Sequence, residues 1–217
     1  MKIRSELPGV CIVRGPADWQ IIQRRLDGKT DIELAGTWRG IDQRPGRVEV
    51  RLVRETDNLP PSLNLDWSYA ETLPDGRWRM MLKNVPAGGL YRIETRLQAG
   101  EDEWRLTGDR LHHLGVGDIW VIAGQSNAVG YGHGSVDDPP ELGVHVFRLC
   151  EEWALADHPL NDPTRTRHPA NFDAGWNDHS PWLAFGRILR RNLGIPIGLV
   201  PTALGLSLIH IPSPRDS

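Results

Sequence analysis

Between Trp19 and about Val116 the chain alternates apolar and polar positions with period two, broken at intervals by turn residues, which is the pattern of half-buried antiparallel strands. In Arg47 to Leu52 the side chains of Val48, Val50 and Leu52 are expected to face a core, and Arg47, Glu49 and Arg51 to face water. Tyr91 to Gln98 repeats the pattern, with Tyr91, Ile93, Thr95 and Leu97 inward and Arg92, Glu94, Arg96 and Gln98 outward. It follows a Gly88-Gly89 pair suited to positive backbone dihedrals. Pro74-Asp75-Gly76 predicts a turn between Trp67–Thr72 and Trp78–Leu82. Short strands at this spacing predict an antiparallel β-sandwich over residues 1–116.

From Gly117 the pattern changes. Ile119 to Ala123 is a continuous apolar run, and such runs belong to strands covered on both faces, as in parallel sheets. Val144 to Leu149 predicts a second strand. A helix follows, with Ser180 as N-cap, Pro181 in the first position and Trp182, Phe185, Ile188, Leu189 and Leu193 along one stripe. Gly194 is its expected stop, and Ile195 to Val200 the next strand. This is an α/β pattern, which places a site at the carboxyl ends of the strands.

Composition narrows the partners. The chain has 25 basic and 28 acidic side chains and a net charge of −3, which gives no electrostatic footprint for nucleic acid or an anionic membrane. No apolar run approaches the roughly 20 residues of a membrane-spanning helix. Two cysteines, Cys11 and Cys150, make neither a disulfide framework nor a metal knuckle. No signal-peptide pattern opens the sequence, so the default expectation is a cytoplasmic protein, with a periplasmic or secreted one as the alternative if the start is misassigned. Nine Trp against three Phe and three Tyr suit either sugar stacking or ordinary core packing. His112 and His113, adjacent on a strand, are expected to point to opposite faces and so not to share a metal.

The chemistry concentrates at Gly124-Gln125-Ser126-Asn127-Ala128, where the apolar strand ends. A glycine lets the chain turn off the strand, and a serine two residues on presents both its hydroxyl and its own N–H to the crevice. By itself this motif fits a helix cap as well as a nucleophile. A phosphate loop is a poorer fit, because Gly124 to Gly130 lacks the Lys-Ser/Thr ending.

The segment Asp118-Ile119-Trp120-Val121-Ile122-Ala123-Gly124-Gln125-Ser126-Asn127 resembles the first block of the SGNH hydrolases, in particular the sialate O-acetylesterase-like carbohydrate esterases. Ser180 to Phe185, Gly194 to Ala203 and the sandwich segment Gly88-Gly89-Leu90-Tyr91 are also similar to segments of that family, over roughly residues 19–205. The resemblance implies a multidomain fold: an antiparallel β-sandwich followed, over 117–205, by the first part of a three-layer α/β/α (flavodoxin-like) hydrolase domain. It implies that Ser126 is the nucleophile attacking the acyl group of an O-acetylated sugar, that the N–H groups of Ser126 and Gly205 form the oxyanion hole, and that Gly124, Gln125 and Asn127 support the nucleophile loop. No metal or organic cofactor is required. The alternatives are an SGNH esterase acting on a non-sugar acyl ester, and a carbohydrate-binding sandwich with a degenerate hydrolase half. The polar connection between Val144 and Pro181 suggests a sugar-binding wall, with Trp153 or Trp176 as stacking platforms.

The family's general base is a histidine in an Asp-x-x-His segment, and no such segment follows Ser126. His133, His145, His158, His168, His179 and His210 are therefore expected to be loop or surface residues. The tail Leu206 to Ser217 resembles the translation of a transposase sequencing adapter, so it is expected to be foreign and the hydrolase domain to continue beyond it, leaving these 217 residues with little activity.

Overall fold

A computed structural model describes residues 8–40, 46–99, 104–134, 136–169 and 178–203. Gly205, Trp176, His210 and the 206–217 tail lie outside the described residues. The strands are β1 (Gly9–Arg14), β2 (Ile21–Gln23), β3 (Lys29–Arg39), β4 (Gly46–Arg54), β5 (Ser68–Tyr69), β6 (Glu71–Thr72), β7 (Arg77–Pro86), β8 (Gly88–Ala99), β9 (Arg105–Ile122), β10 (Val144–Phe147), β11 (Trp153–Leu155) and β12 (Ile197–Pro201). The helices are α1 (Ser126–Val129) and α2 (Trp182–Leu193). The fold is mostly β.

One sheet runs β1-β3-β7-β6, all antiparallel. The other runs β11-β10-β12-β9-β8-β4-β5, with β2 alongside β9. Their facing sides enclose a core that includes Leu34, Val48, Val50, Leu52, Trp78, Ile93 and Leu97. The expected inward residues of the strands at 47–52 and 91–98 are in that core, except that Thr95 is buried with its hydroxyl donating to the Asp109 carbonyl. The structure adds β1, ahead of the first predicted strand.

The outward side of β4 and β8 is not simply solvated. Glu49 and Glu94, expected to face water, are only 5% and 4% exposed. Arg96 and Arg105 both reach Glu49 at 2.8 Å, and Arg51 and Arg92 both reach Glu94 at 2.7 Å. Trp67 lies beneath the guanidinium groups of Arg96 and Arg51, 3.8 and 4.6 Å from its ring centroid. Long arginines laid across the sheet bury the shorter glutamates, a tertiary effect to which period-two reading is blind.

β9 is continuous across Gly117. Its first part pairs antiparallel with β8, and Asp118 to Ile122 pair parallel with β12, which pairs parallel with β10. The switch occurs where Pro196 presses against β9: a Cβ at Gly117 would lie 1.8 Å from the Pro196 carbonyl oxygen, and one at Gly115 2.7 Å from the proline ring. Only glycine permits that approach. Arg24 ties the first strands to this joint through a two-pronged contact with Asp118 at 2.8 and 3.0 Å. The hydrogen bonds from Arg24 hold the Asp118 carboxyl below the usual range against the opposing effect of burial.

α2 packs on the side of β10 and β12 that carries Val144 and Leu199, and Gly186 is the point of closest approach. Three details depart from the sequence reading. Pro181, in helical conformation, occupies the N-cap position, no side chain caps the helix, and Ser180 Oγ is buried without a partner among the described residues. The buried face centres on Leu183 and Gly186, while Ile188 and Leu193 are exposed. Trp120 and Val121, expected to be covered on both faces, are 42% and 64% exposed. Gly194 ends the helix as expected, at φ 67°.

Candidate active site

The turn that carries Ser126 begins where β9 ends. Gly124 has φ 147°, and a Cβ there would sit 2.9 Å from that of Ala128, so the turn is closed to larger residues. Ser126 opens the single turn of α1, with Gln125 at the N-cap position. The Gln125 carbonyl accepts from Ala128 and Val129 N–H at 2.8 and 3.1 Å, and the Ser126 carbonyl accepts from Gly130 at 3.2 Å. Gly130, at φ 108°, stops the helix. Gln125, Ser126 and Asn127 are exposed. This is the backbone arrangement the sequence predicts at the carboxyl end of a parallel strand.

Two residues to which the sequence assigns no part in the turn hold it. Trp182 Nε1 donates to the Ala128 carbonyl at 2.9 Å from the start of α2. Asn161, 2% exposed, donates through Nδ2 to the carbonyls of Val129 at 3.5 Å and Ala203 at 3.4 Å. Thr202 adds two bonds to the Ile122 carbonyl, from its N–H at 2.9 Å and its Oγ1 at 3.0 Å. The ends of β9 and β12 are thereby fixed relative to each other. An asparagine inside a polar connection carries no periodic signal, so only its burial exposes the role.

A cavity of about 840 Å³ opens beside Asn127, between the loop after α1 and the outer side of α2. Tyr131, His133, Asp138, His179, Arg187 and Ile188 are among its walls. Asp138 binds Arg187 and, at 3.2 Å, His158 Nε2. Glu141 receives Arg191, Arg190 and Arg187 at 2.7, 3.3 and 3.5 Å. Burial would raise the Glu141 carboxyl, but these arginines, Arg191 foremost, hold it below its ordinary value.

The histidines correct two expectations. His145 is not at the surface: it is fully buried in β10, its Nδ1 lies 2.6 Å from the Trp19 carbonyl, and burial lowers its pKa to about 4. His158 and His179 are largely covered, their rings 5.4 Å apart, with His179 held by the Gly134 carbonyl and by Asp178 at 3.0 Å. His133 and His168 are exposed, as expected. In the sandwich, His112 and His113 do not diverge, because both Nδ1 atoms approach Glu55, at 3.7 and 2.8 Å. His113 has φ 58° and lies in a bulge of β9 that breaks the pleat. Among the described residues no three potential ligands are grouped to hold a metal.

The polar connection after β10 is also more ordered than a structureless loop, since β11 adds antiparallel to β10 within it. Trp153, in β11, packs against Phe147 and lines a different cavity from the one beside Asn127.

Residues 116–212 match the family model described as carbohydrate esterase, sialic acid-specific acetylesterase. Among solved structures, a carbohydrate acetylesterase from Xanthomonas citri is similar at 20% identity and a TM-score of 0.43, over 89% of this chain and 40% of that one. The chain thus spans less than half the length of that relative. No curated protein sequence matches. The part of the chain that carries the Ser126 turn is thus similar to the sialic acid-specific acetylesterase family of carbohydrate esterases.

Proposed function

We propose that the protein is a serine esterase that removes O-acetyl groups from a carbohydrate, with Ser126 as nucleophile. The observation that carries this reading is the exposed Ser126 at the first turn after β9, next to the cavity beside Asn127. Its oxygen attacks the acetyl carbonyl carbon and gives its proton to a base, and the carbonyl electrons move onto oxygen. The Ser126 N–H and that of Gly205 stabilise this oxyanion, each contributing about a hundredfold to a thousandfold in rate. Collapse breaks the ester C–O bond and the leaving sugar oxygen takes the proton from the base; water then attacks the acyl-serine, releasing acetate and returning the proton to the Ser126 oxygen. Gly124, Gln125 and Asn127 keep the turn in shape. Sialate or another acetylated sugar is the proposed substrate, and the proposed architecture is a β-sandwich (1–116) joined to the first part of an α/β/α hydrolase (117–205).

The described histidines after Ser126 are bound elsewhere or exposed, and none supplies the base in the family's Asp-x-x-His context. We therefore keep the foreign reading of residues 206–217 as part of the proposal, although the family match runs to residue 212. Resequencing the locus tests it: an unchanged tail would sink that part. For the chemistry, the protein expressed from the resequenced reading frame is assayed on O-acetylated sugars and aryl acetates. Ser126→Ala is expected to lower turnover by about a thousandfold or more, and equal rates would overturn the assignment. The 217-residue chain itself is expected to show little turnover. Preference for acetylated sugar over aryl acetate separates a sugar esterase from one acting on other acyl esters. An organophosphonate that fails to label Ser126 in that protein would favour a non-catalytic sugar binder.

A further inference from the structure

A second cavity, of about 470 Å³, lies where the loop before β2 meets the edge strand β11. That volume is within the range of small-molecule sites, about 300–1,000 Å³. It shares no wall residue with the cavity beside Asn127, but the two adjoin through His158, which lines this one and contacts Asp138 of the other at 3.2 Å.

Two indoles line it, and both are fixed. Trp19 has φ 66°, an uncommon backbone for a large side chain that persists only where its surroundings enforce it. Here they do: its N–H donates to the His112 carbonyl at 3.0 Å, and its ring lies 4.0 Å from that of His113 and edge-on to His145 at 5.2 Å. Trp153 packs on Phe147 with centroids 5.5 Å apart, and its ring tip lies over Gly198, whose missing side chain makes the space. Rings already held in place lose little freedom when a ligand stacks on them.

The polar part of the lining is acidic. Among the described residues of the lining, Glu152, Asp157 and Asp162 outnumber the guanidinium of Arg148, and Arg167 comes within 4.0 Å of Glu152. Arg148 is anchored to the Pro159 carbonyl at 2.7 Å and to Asp157, and Asp162 is oriented by Thr164 N–H and Oγ1 at 2.9 and 2.6 Å. Carboxylates accept from hydroxyl groups and repel anions, while indole faces take the C–H side of a pyranose ring.

We infer that this cavity is a non-catalytic binding site for a neutral, hydroxyl-rich glycan. It would hold a sugar chain next to the cavity beside Asn127 and needs no part of the Ser126 machinery, so it stands or falls separately from the esterase reading. The test is titration of the 217-residue chain with xylohexaose and chitohexaose as neutral probes and N-acetylneuraminic acid as the anionic one, read by tryptophan fluorescence and calorimetry. At least one neutral hexasaccharide is expected to saturate, with Trp153→Ala weakening it about tenfold or more and Ser126→Ala leaving it unchanged. Asp157→Asn, a change at an exposed position, is expected to weaken it severalfold and carries the test should Trp153→Ala fail to fold. No saturation by either neutral probe up to roughly 10 mM, tighter binding of the anionic sugar, or wild-type affinity in a folded Trp153→Ala or Asp157→Asn protein would overturn the inference.

Discussion

Asn161 is where a single side chain does most to define the candidate site. With Nδ2 on the carbonyls of Val129 and Ala203, it ties the Ser126 turn to the end of β12. Asn161→Ala leaves two buried carbonyls short of a donor and is expected to lower stability by about 1–3 kcal/mol. Because it acts on the turn and not on substrate, it should lower kcat more than it changes KM, as steady-state kinetics on an acetyl ester would show. His145 gives a second residue-scale expectation. Its pKa in the folded protein is about 4, pushed down by burial, against about 6.5 when unfolded. The neutral form is therefore the one that folding favours, and its contribution is complete above pH 6.5 and lost as pH falls toward 4, on the order of 3 kcal/mol in all. Denaturant melts between pH 4 and 7 should show this slope, and His145→Leu should flatten it. Nothing in the sequence around Val144-His145-Val146 distinguishes a buried imidazole from a surface one, because burial on both faces is a property of the sheet's neighbours.

Among the elements, α2 shows how pattern and packing divide the work. Its length and its glycine stop were legible, since both depend on local backbone preferences. Its buried face was not, because the ridge that enters the sheet is set by Gly186, where a Cβ would come 2.7 Å from Val144 and 3.3 Å from Leu199. Counting only large apolar residues shifts the stripe toward Ile188, which is exposed. Gly186→Leu is expected to destabilise the protein by about 2 kcal/mol or more through overpacking, despite the better helix propensity of leucine. A thermal melt checks it, and an unchanged midpoint would mean that the helix shifts freely on the sheet. The strands of the sandwich show the complementary limit. Alternation in β4 and β8 identified the inward side chains, but the outward side is organised by arginines that pair with Glu49 and Glu94 and flank Trp67.

Across the whole molecule, β9 joins the two sheet regions without a linker. The change from alternating to continuous apolar residues at Gly117 coincides with the change of partner from β8 to β12, within one strand. Arg24 bridging to Asp118, and Trp19 meeting His113 and His145, make contacts across that same joint. The excess of tryptophan has the same mixed origin: Trp78 is core, Trp182 braces the Ser126 turn, and Trp19 and Trp153 line a cavity.

The sequence by itself determined the main strands of the sandwich with most of their inward residues, the body and glycine stop of α2, and the glycine-led turn that carries Ser126, because these follow from periodicity and from backbone preferences local to a few residues; β1 and β11 it left unmarked. Only the tertiary structure decided that Asn161 and Trp182 brace that turn, that His145 is buried, that His112 and His113 converge on Glu55, and that Trp19 and Trp153 share a cavity. Each of those joins residues far apart in the chain or depends on a bulge, and no local pattern encodes a distance between segments that meet only when folded.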